Sequence, residues 1–196
     1  MSRVTIIYCH PYTKSFNHAV LESVIANMNG SSTTFELLDL HADQFQPYYD
    51  AEELRLFHTG ETHDPLVRRY LAALQHSDGL IIITPIWWNG IPGMLKGFID
   101  KVMKEGEGLS HTVPKTGIHG CLTNLKHAYV LTTSTSPTAY YRFLLGNGIR
   151  RIFINKTLKQ IGVRRGTWIN LGGISSSSTQ KRLRHLERIR TMRFKF

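Results

Sequence analysis

One short run limits the fold more than any other: Gly79, Leu80, Ile81, Ile82 and Ile83 are apolar or small without alternation, and they lead through Thr84 and Pro85 into a loop of tryptophans. A strand that alternates can leave one face in water, whereas a run apolar at every position must be covered on both faces, as in the middle of a parallel sheet. Parallel strands need a crossover, so a helix should follow. The sequence supplies one: Asn89 and Gly90 make a turn, Pro92 suits a helix's first position, and Met94, Leu95, Phe98, Ile99 and Val102 recur at helical spacing. The loop of Pro85, Ile86, Trp87, Trp88 and Asn89 therefore leaves the carboxyl end of a buried strand, where open α/β sheets bind ligands. Its tryptophans offer a flat apolar wall to a heteroaromatic ring, and its backbone offers N–H groups.

The same alternation of apolar runs and helical patterns extends along the chain. Strands are predicted at residues 4–9, 34–40, 79–84, 128–132 and 167–171, and helices at 17–28, 65–76, 92–104 and 179–192. Residues 138–161 read as two helices broken at Gly146, Asn147 and Gly148. A long irregular connection, 41–63, carries one short helical piece at 51–57. This predicts a single α/β domain over residues 1–196, a doubly wound sheet of five parallel strands with helices on both faces.

Composition narrows the classes. No apolar stretch approaches the roughly 18 residues of a membrane span, and the amino terminus runs straight into a strand, so a cytoplasmic protein without membrane insertion is expected. Cys9 and Cys121 form no metal or redox pair by spacing, and the histidines show no metal-ligand pattern. Of the 24 Lys and Arg residues, 14 fall after Tyr141, where Glu187 is the single acid. No nucleic-acid-binding motif accompanies that charge, which reads as a solvated basic segment or an attractor of anions and leaves peripheral membrane association open. Leu183, Leu186, Ile189 and Met192 should dock one face of its helix. Glu52, Glu53, Glu105 and Glu107 read as solvated charges, and Trp168 as core.

Two further loops follow predicted strands. His10, Pro11, Tyr12, Thr13, Lys14, Ser15, Phe16 and Asn17 open a helix, whose free N–H groups favour a phosphate. Ser15 and Asn17 are equally good N-cap residues, and by themselves no more than that. Neither a G-x-G-x-x-G fingerprint nor a Walker lysine loop is present. After the fourth strand come Thr132, Thr133, Ser134 and Thr135, dense in small donors and acceptors, then Tyr140 and Tyr141, which suit a pocket wall or helix packing equally. In a doubly wound sheet the three loops converge on one edge.

These residues resemble the flavodoxin-like NAD(P)H:quinone oxidoreductases, a family that includes the bacterial modulator of drug activity B and the ancillary oxidoreductases of potassium-efflux systems. The similarity lies in His10 with Ser15, Phe16 and Asn17; in Asp39 to Asp43; in Ala51 to Arg55; in Asp64, Pro65 and Leu66; and above all in W-W-x-G-x-P-x-x-L-K-G-F-I-D from Trp87 to Asp100. It fades beyond Tyr141. The resemblance implies a flavodoxin-like fold and a flavin, FMN with FAD as the alternative. Its phosphate would lie at His10, Ser15, Phe16 and Asn17, its ring against Pro85, Ile86, Trp87, Trp88 and Asn89, and its pyrimidine end at Thr132, Thr133, Ser134 and Thr135. The family usually has Phe or Tyr where Asn89 stands, and a pair of glycines at Ser134 and Thr135.

The expected activity is two-electron reduction of a quinone or similar electrophilic aromatic by NADPH or NADH in ping-pong fashion. The flavin would carry the hydride, with Trp88, Asn89 and Tyr140 as candidates for the pocket and no metal. A homodimer is implied by resemblance, with the 41–63 connection and the helix after Gly93 as interface elements. A flavodoxin-type electron carrier and a flavin-binding regulatory subunit of a membrane transporter remain alternatives; turnover of a quinone without any protein partner separates the enzyme from both.

Overall fold

The computed structural model describes residues 2–196, with His58 described in its backbone only. Strand β1 (Arg3–Tyr8) leads to helix α1 (Phe16–Asn29) and strand β2 (Thr34–Asp39), and the long connection after it holds α2 (Ala51–Arg55) and a 3₁₀ turn (Phe57–Thr59). Helix α3 (Pro65–Gln75), strand β3 (Gly79–Pro85) and helix α4 (Gly93–Val102) come next. A small antiparallel ribbon, β4 (His111–Thr112) with β5 (His119–Gly120), precedes β6 (His127–Ser134). Two widely wound helical segments, π1 (Tyr140–Leu144) and π2 (Ile149–Leu158), precede β7 (Arg165–Gly172) and the final helix α5 (Thr179–Arg190).

The five long strands form one sheet in the order β2-β1-β3-β6-β7, and every neighbouring pair is parallel. This is the predicted doubly wound sheet, and the break predicted at Gly146, Asn147 and Gly148 is the gap between π1 and π2. β3 lies at its centre with all seven residues buried. One face is covered by α1 and α5, through Val20, Leu21, Val24, Met28 and Ile189. The other is covered by α3, α4 and π2, through Tyr70, Leu74, Leu95, Phe98, Phe153 and Leu158. Among the described residues no helix is long and apolar enough to cross a membrane.

Three expectations are corrected. Pro92 is the cap of α4, whose first residue is Gly93. Leu183 is 60% exposed, so the docked stripe of α5 begins at Leu186 and includes His185 in its place. Glu53 is fully buried and ion-paired with Lys104, itself 1% exposed. Burial disfavours its charge, but Lys104 and the Thr62 hydroxyl hold the carboxyl below its ordinary range. A second pair, Lys101 with Asp64 at 2.9 Å, lies one turn earlier on α4, and Lys101 also donates to the carbonyl of Gln46 at 2.9 Å. These charges clamp the long connection onto α4. Removing one partner of a buried pair leaves the other unpaired, which costs more than the pair itself contributes.

Between the clamps the chain crosses α4 in contact. A Cβ on Gly97 would lie 1.9 Å from the carbonyl oxygen of Pro47, so only glycine admits that crossing. Gly93, four residues earlier on the same helix, has no neighbour within 4 Å of its would-be Cβ. Gly97→Ala should therefore lower unfolding free energy by about 2 kcal/mol or more, in the range of overpacked cores. Gly93→Ala should be neutral or raise it by up to about 1 kcal/mol. Urea unfolding of the two variants checks this, and equal stabilities would contradict the close crossing.

Candidate functional site

Because all five strands run parallel, the loops after β1, β3 and β6 leave the same edge. The chain passes from β1 outward to β2 and from β3 the opposite way to β6, so the connections diverge at β1 and β3 and leave a crevice. A concavity of about 210 Å³ opens there. The first loop lines it with His10, Ser15, Phe16 and Asn17. The second wall is Pro85, the last residue of β3, with Ile86 and Trp87, and the third is Thr133 and Ser134, which are the last residues of β6 rather than loop as expected, with Thr135.

The first wall is the amino end of α1. The Ser15 hydroxyl accepts from the His18 amide at 3.1 Å, and the Ser15 carbonyl takes the His18 and Ala19 amides, so Ser15 is the N-cap. The amides of Phe16 and Asn17, the first two of the helix, are left for a ligand. Asn17 is 3% exposed; its Nδ2 donates to the Thr133 hydroxyl at 2.8 Å, while its Oδ1 is buried without a partner. Turned over, the amide keeps that bond, with Thr133 donating to Oδ1, and in either orientation its other atom is buried without a partner among the described residues. His10 accepts the Tyr12 amide on Nδ1 at 3.1 Å and meets the Trp87 ring edge-on at 6.0 Å. Burial first, and then His41, hold its imidazole below the ordinary range, which favours its neutral form. The wall thus presents unpaired amides at a helix end, the kind of surface that suits an anion.

The second wall is a two-residue hairpin. The amides and carbonyls of Trp87 and Gly90 bond each other reciprocally at 3.0 Å, and the residues between them, Trp88 and Asn89, have φ of 48° and 66°. This is the mirror-image turn favoured in tight hairpins, where Asn and Gly are the usual occupants. Trp88 is the misfit: it is fully exposed and holds a left-handed conformation that costs a non-glycine residue about 1–3 kcal/mol. Its ring stands free of packing by the described residues, so that cost is not offset by burial.

The third wall is held from behind by Asn170, which the sequence did not single out, and by Trp168, which is core as expected. Asn170 of β7 accepts from the Thr132 hydroxyl at 2.8 Å and donates to Ser134 at 3.0 Å and Thr138 at 2.9 Å, and Trp168 Nε1 donates to Thr132 at 2.8 Å. Thr132 thus stands behind the concavity, 2% exposed, rather than in it. Ile174 completes the lining. A lone Asn in an otherwise apolar strand was the available signal for Asn170; nothing in the sequence distinguished Ile174.

Trp88, Asn89 and Tyr140 do not line this concavity. Asn89 instead joins Gly90, Ile91, Ile99, Ile149 and Ile152 around a larger apolar hollow of about 280 Å³ between the hairpin, α4 and π2. Tyr140, at the start of π1, is 41% exposed with its ring beside Tyr141, which is core. The smaller concavity is the better candidate site: it combines a helix end, hydroxyls and an aromatic ring, whereas the larger one has an apolar lining apart from Asn89, Lys96 and Thr157.

A family described as having the flavodoxin-like fold matches residues 2–192. The chain belongs to that family. It is 26% identical over 161 residues to an uncharacterized NAD(P)H oxidoreductase of Haemophilus influenzae, across 81% of this chain and 77% of that protein. It is 28% identical over 120 residues to the ribosyldihydronicotinamide dehydrogenase [quinone] of Pongo abelii, which spans 53% of this chain and only about half, 52%, of that protein. Among solved structures, an NAD(P)H:quinone oxidoreductase from Methanothermobacter marburgensis superposes with a TM-score of 0.82 at 25% identity, over 96% of this chain and 94% of that one.

The strain at Trp88 makes a prediction. Trp88→Asn places a residue tolerant of left-handed φ in the same turn, so the melting temperature should rise by a few degrees, corresponding to about 1 kcal/mol. A fall would mean that the ring makes stabilising contacts within the chain.

Proposed function

We propose that this protein is a flavin-dependent oxidoreductase that binds FMN in the β1/β3 crevice and reduces quinones or related electrophilic aromatics at the expense of NADPH or NADH. The observation that carries the reading is the single concavity that unites the free amino end of α1, the Trp87 hairpin and the Thr133 to Thr135 loop. The residues fit the group: the Phe16 and Asn17 backbone amides at the helix end suit a phosphate, and the Asn17 side chain, bonded to Thr133, ties that end to the third wall. Pro85, Ile86 and Trp87 suit the ring, and Thr133, Ser134 and Thr135, braced through Thr132 and Asn170, suit the polar end. FMN is preferred over FAD because these three walls account for one mononucleotide. The names of the relatives support NAD(P)H as donor and a quinone as acceptor.

Bound flavin would supply the hydride chemistry. The chain's own tasks are to hold the phosphate at the helix end, to direct backbone N–H groups at charge gathering on the ring, and to leave one face open. A neutral His10 keeps a fixed charge away from that face. Trp88 belongs in this reading as the wall against which donor and acceptor lie in turn, its strain retained for an aromatic surface outside the chain.

A homodimer is part of the proposal. The apolar hollow beside the hairpin shares Ile99 and Thr157 with a second one lined by Tyr49, Met103 and Ile118, giving a continuous apolar face on α4, π2 and the long connection. Such faces mark protein contacts, and Asn89, the residue after Trp88, lines this one. Light scattering at micromolar concentration should give twice the chain mass; a monomer would remove the dimer from the proposal.

The function is tested on purified protein reconstituted with FMN. NADPH or NADH should bleach the flavin absorbance without oxygen, a quinone should restore it with no other protein present, and double-reciprocal plots should be parallel. Failure to take up either flavin would sink the reading. Reduction that reoxidises only through a protein partner would move it to the electron-carrier class, and intersecting plots would exclude alternate use of one face.

A further inference from the structure

The opposite edge of the sheet, at the amino ends of the strands, holds a separate concavity of about 340 Å³ lined by Lys126, His127, Arg164, Arg165, Lys195 and Phe196. Its cations are carried on pinned backbone. Arg164 and Arg165 donate their amides to the carbonyls of Leu125 and Lys126 at 3.2 Å as β7 begins to pair with β6, and Lys126 donates to Asp78 at 2.8 Å. The Lys195 amide donates to the Tyr129 hydroxyl at 3.1 Å. Phe196 sits where Gly79 has no side chain: a Cβ there would lie 1.9 Å from its ring. His127 stacks on Tyr129 at 4.2 Å, and Phe194 and Phe196 meet that same ring edge-on. The walls are therefore rigid, and the positive side chains share one space by construction.

Among the described residues most of that charge has no ion-pair partner. Lys126 pairs with Asp78 at 2.9 Å, and Asp78 is also held by the Arg3 amide; among the described residues Arg164, Arg165 and Lys195 form no ion pair. Like charges gathered in one hollow repel, and the packing there depends on Phe196, Tyr129 and Gly79 rather than on the cations. A cluster that costs the fold something and returns nothing inside it fits an anion from outside, and two adjacent guanidinium forks match phosphate oxygens better than ammonium groups would. We propose that this cavity is a second, independent binding site for a phosphorylated anion, with Arg164 and Arg165 as its main ligands and Lys126 and Lys195 beside them. Three unpaired cations outnumber the single charge of a carboxylate, which favours a phosphate or diphosphate group. The site lies across the sheet from the crevice, so both can be filled together.

Pyrophosphate serves as the probe, titrated calorimetrically at constant ionic strength with FMN in excess to block the amino end of α1. One saturable site is expected. Arg164→Gln with Arg165→Gln should weaken it by about tenfold or more, as loss of charge-assisted hydrogen bonds does, while Ser15→Asp should leave it unchanged. Lys195→Gln, a single exposed change, should weaken it to a smaller degree and guards against misfolding of the double variant. Absence of saturable binding, equal affinity in the arginine variant, or a loss caused by Ser15→Asp would each overturn the proposal. Vesicles of phosphatidylcholine with and without phosphatidic acid then identify the source: sedimentation with the acidic vesicles alone, lost in the double variant, points to a lipid headgroup, and its absence beside intact pyrophosphate binding points to a soluble phosphate. Protein that binds pyrophosphate but no flavin would sink the oxidoreductase reading and leave this site standing.

Discussion

Strand β3 is buried at every residue from Gly79 to Pro85, and the rest of the molecule answers to that burial. A strand with no wet face must have strands on either side and helices above and below, because its backbone and its side chains both need partners out of water. Here the partners are β1 and β6, both parallel to it, so every connection crosses a face of the sheet and re-enters at the same end. The crevice is a consequence of strand order. His10 to Asn17, Pro85 to Trp87 and Thr133 to Thr135 meet because each lies at or just past the carboxyl end of a strand that had to be there.

The segment from Thr84 to Val102 divides its work between its two ends. Its amino end is strained and open: Trp88 stands in water at a positive φ with no packing to offset the cost. Its carboxyl end is closely held, with Gly97 under Pro47 and the buried pairs of Lys101 and, just beyond the segment, Lys104 gripping the long connection. Rigid support behind a strained, exposed element is the arrangement a site needs when position must survive contact with a ligand. Asn170 has the same part for the third loop, fixing it through three hydrogen bonds.

Strands, helices and the convergence of the loops were legible because they are written in local periodicity and in the residues that come directly after a buried run. Ser15 as a cap and the break at Gly146 to Gly148 could be read for the same reason: each depends on a residue and its immediate neighbours. What escaped were relations between distant residues. Glu53 looks like any helical surface acid until Lys104, 51 positions away, is folded against it. Asn170 acquires its meaning only when β7 pairs with β6. Leu183 satisfied the helical period, yet α5 is rotated so that His185 and Leu186 meet α1 instead. Trp88 and Asn89 were expected in the crevice, but a mirror-image turn lifts them out of it, and its two positive dihedrals are invisible in composition.

The central claim is that the amino end of α1, with Asn17, is a phosphate cradle belonging to a flavin site. Fluorescence titration of the protein with FMN and with riboflavin, which lacks the phosphate, tests this most directly. The account predicts that FMN binds about a hundredfold more tightly or better, the worth of two or so charge-assisted hydrogen bonds. Equal affinities for the two would contradict it.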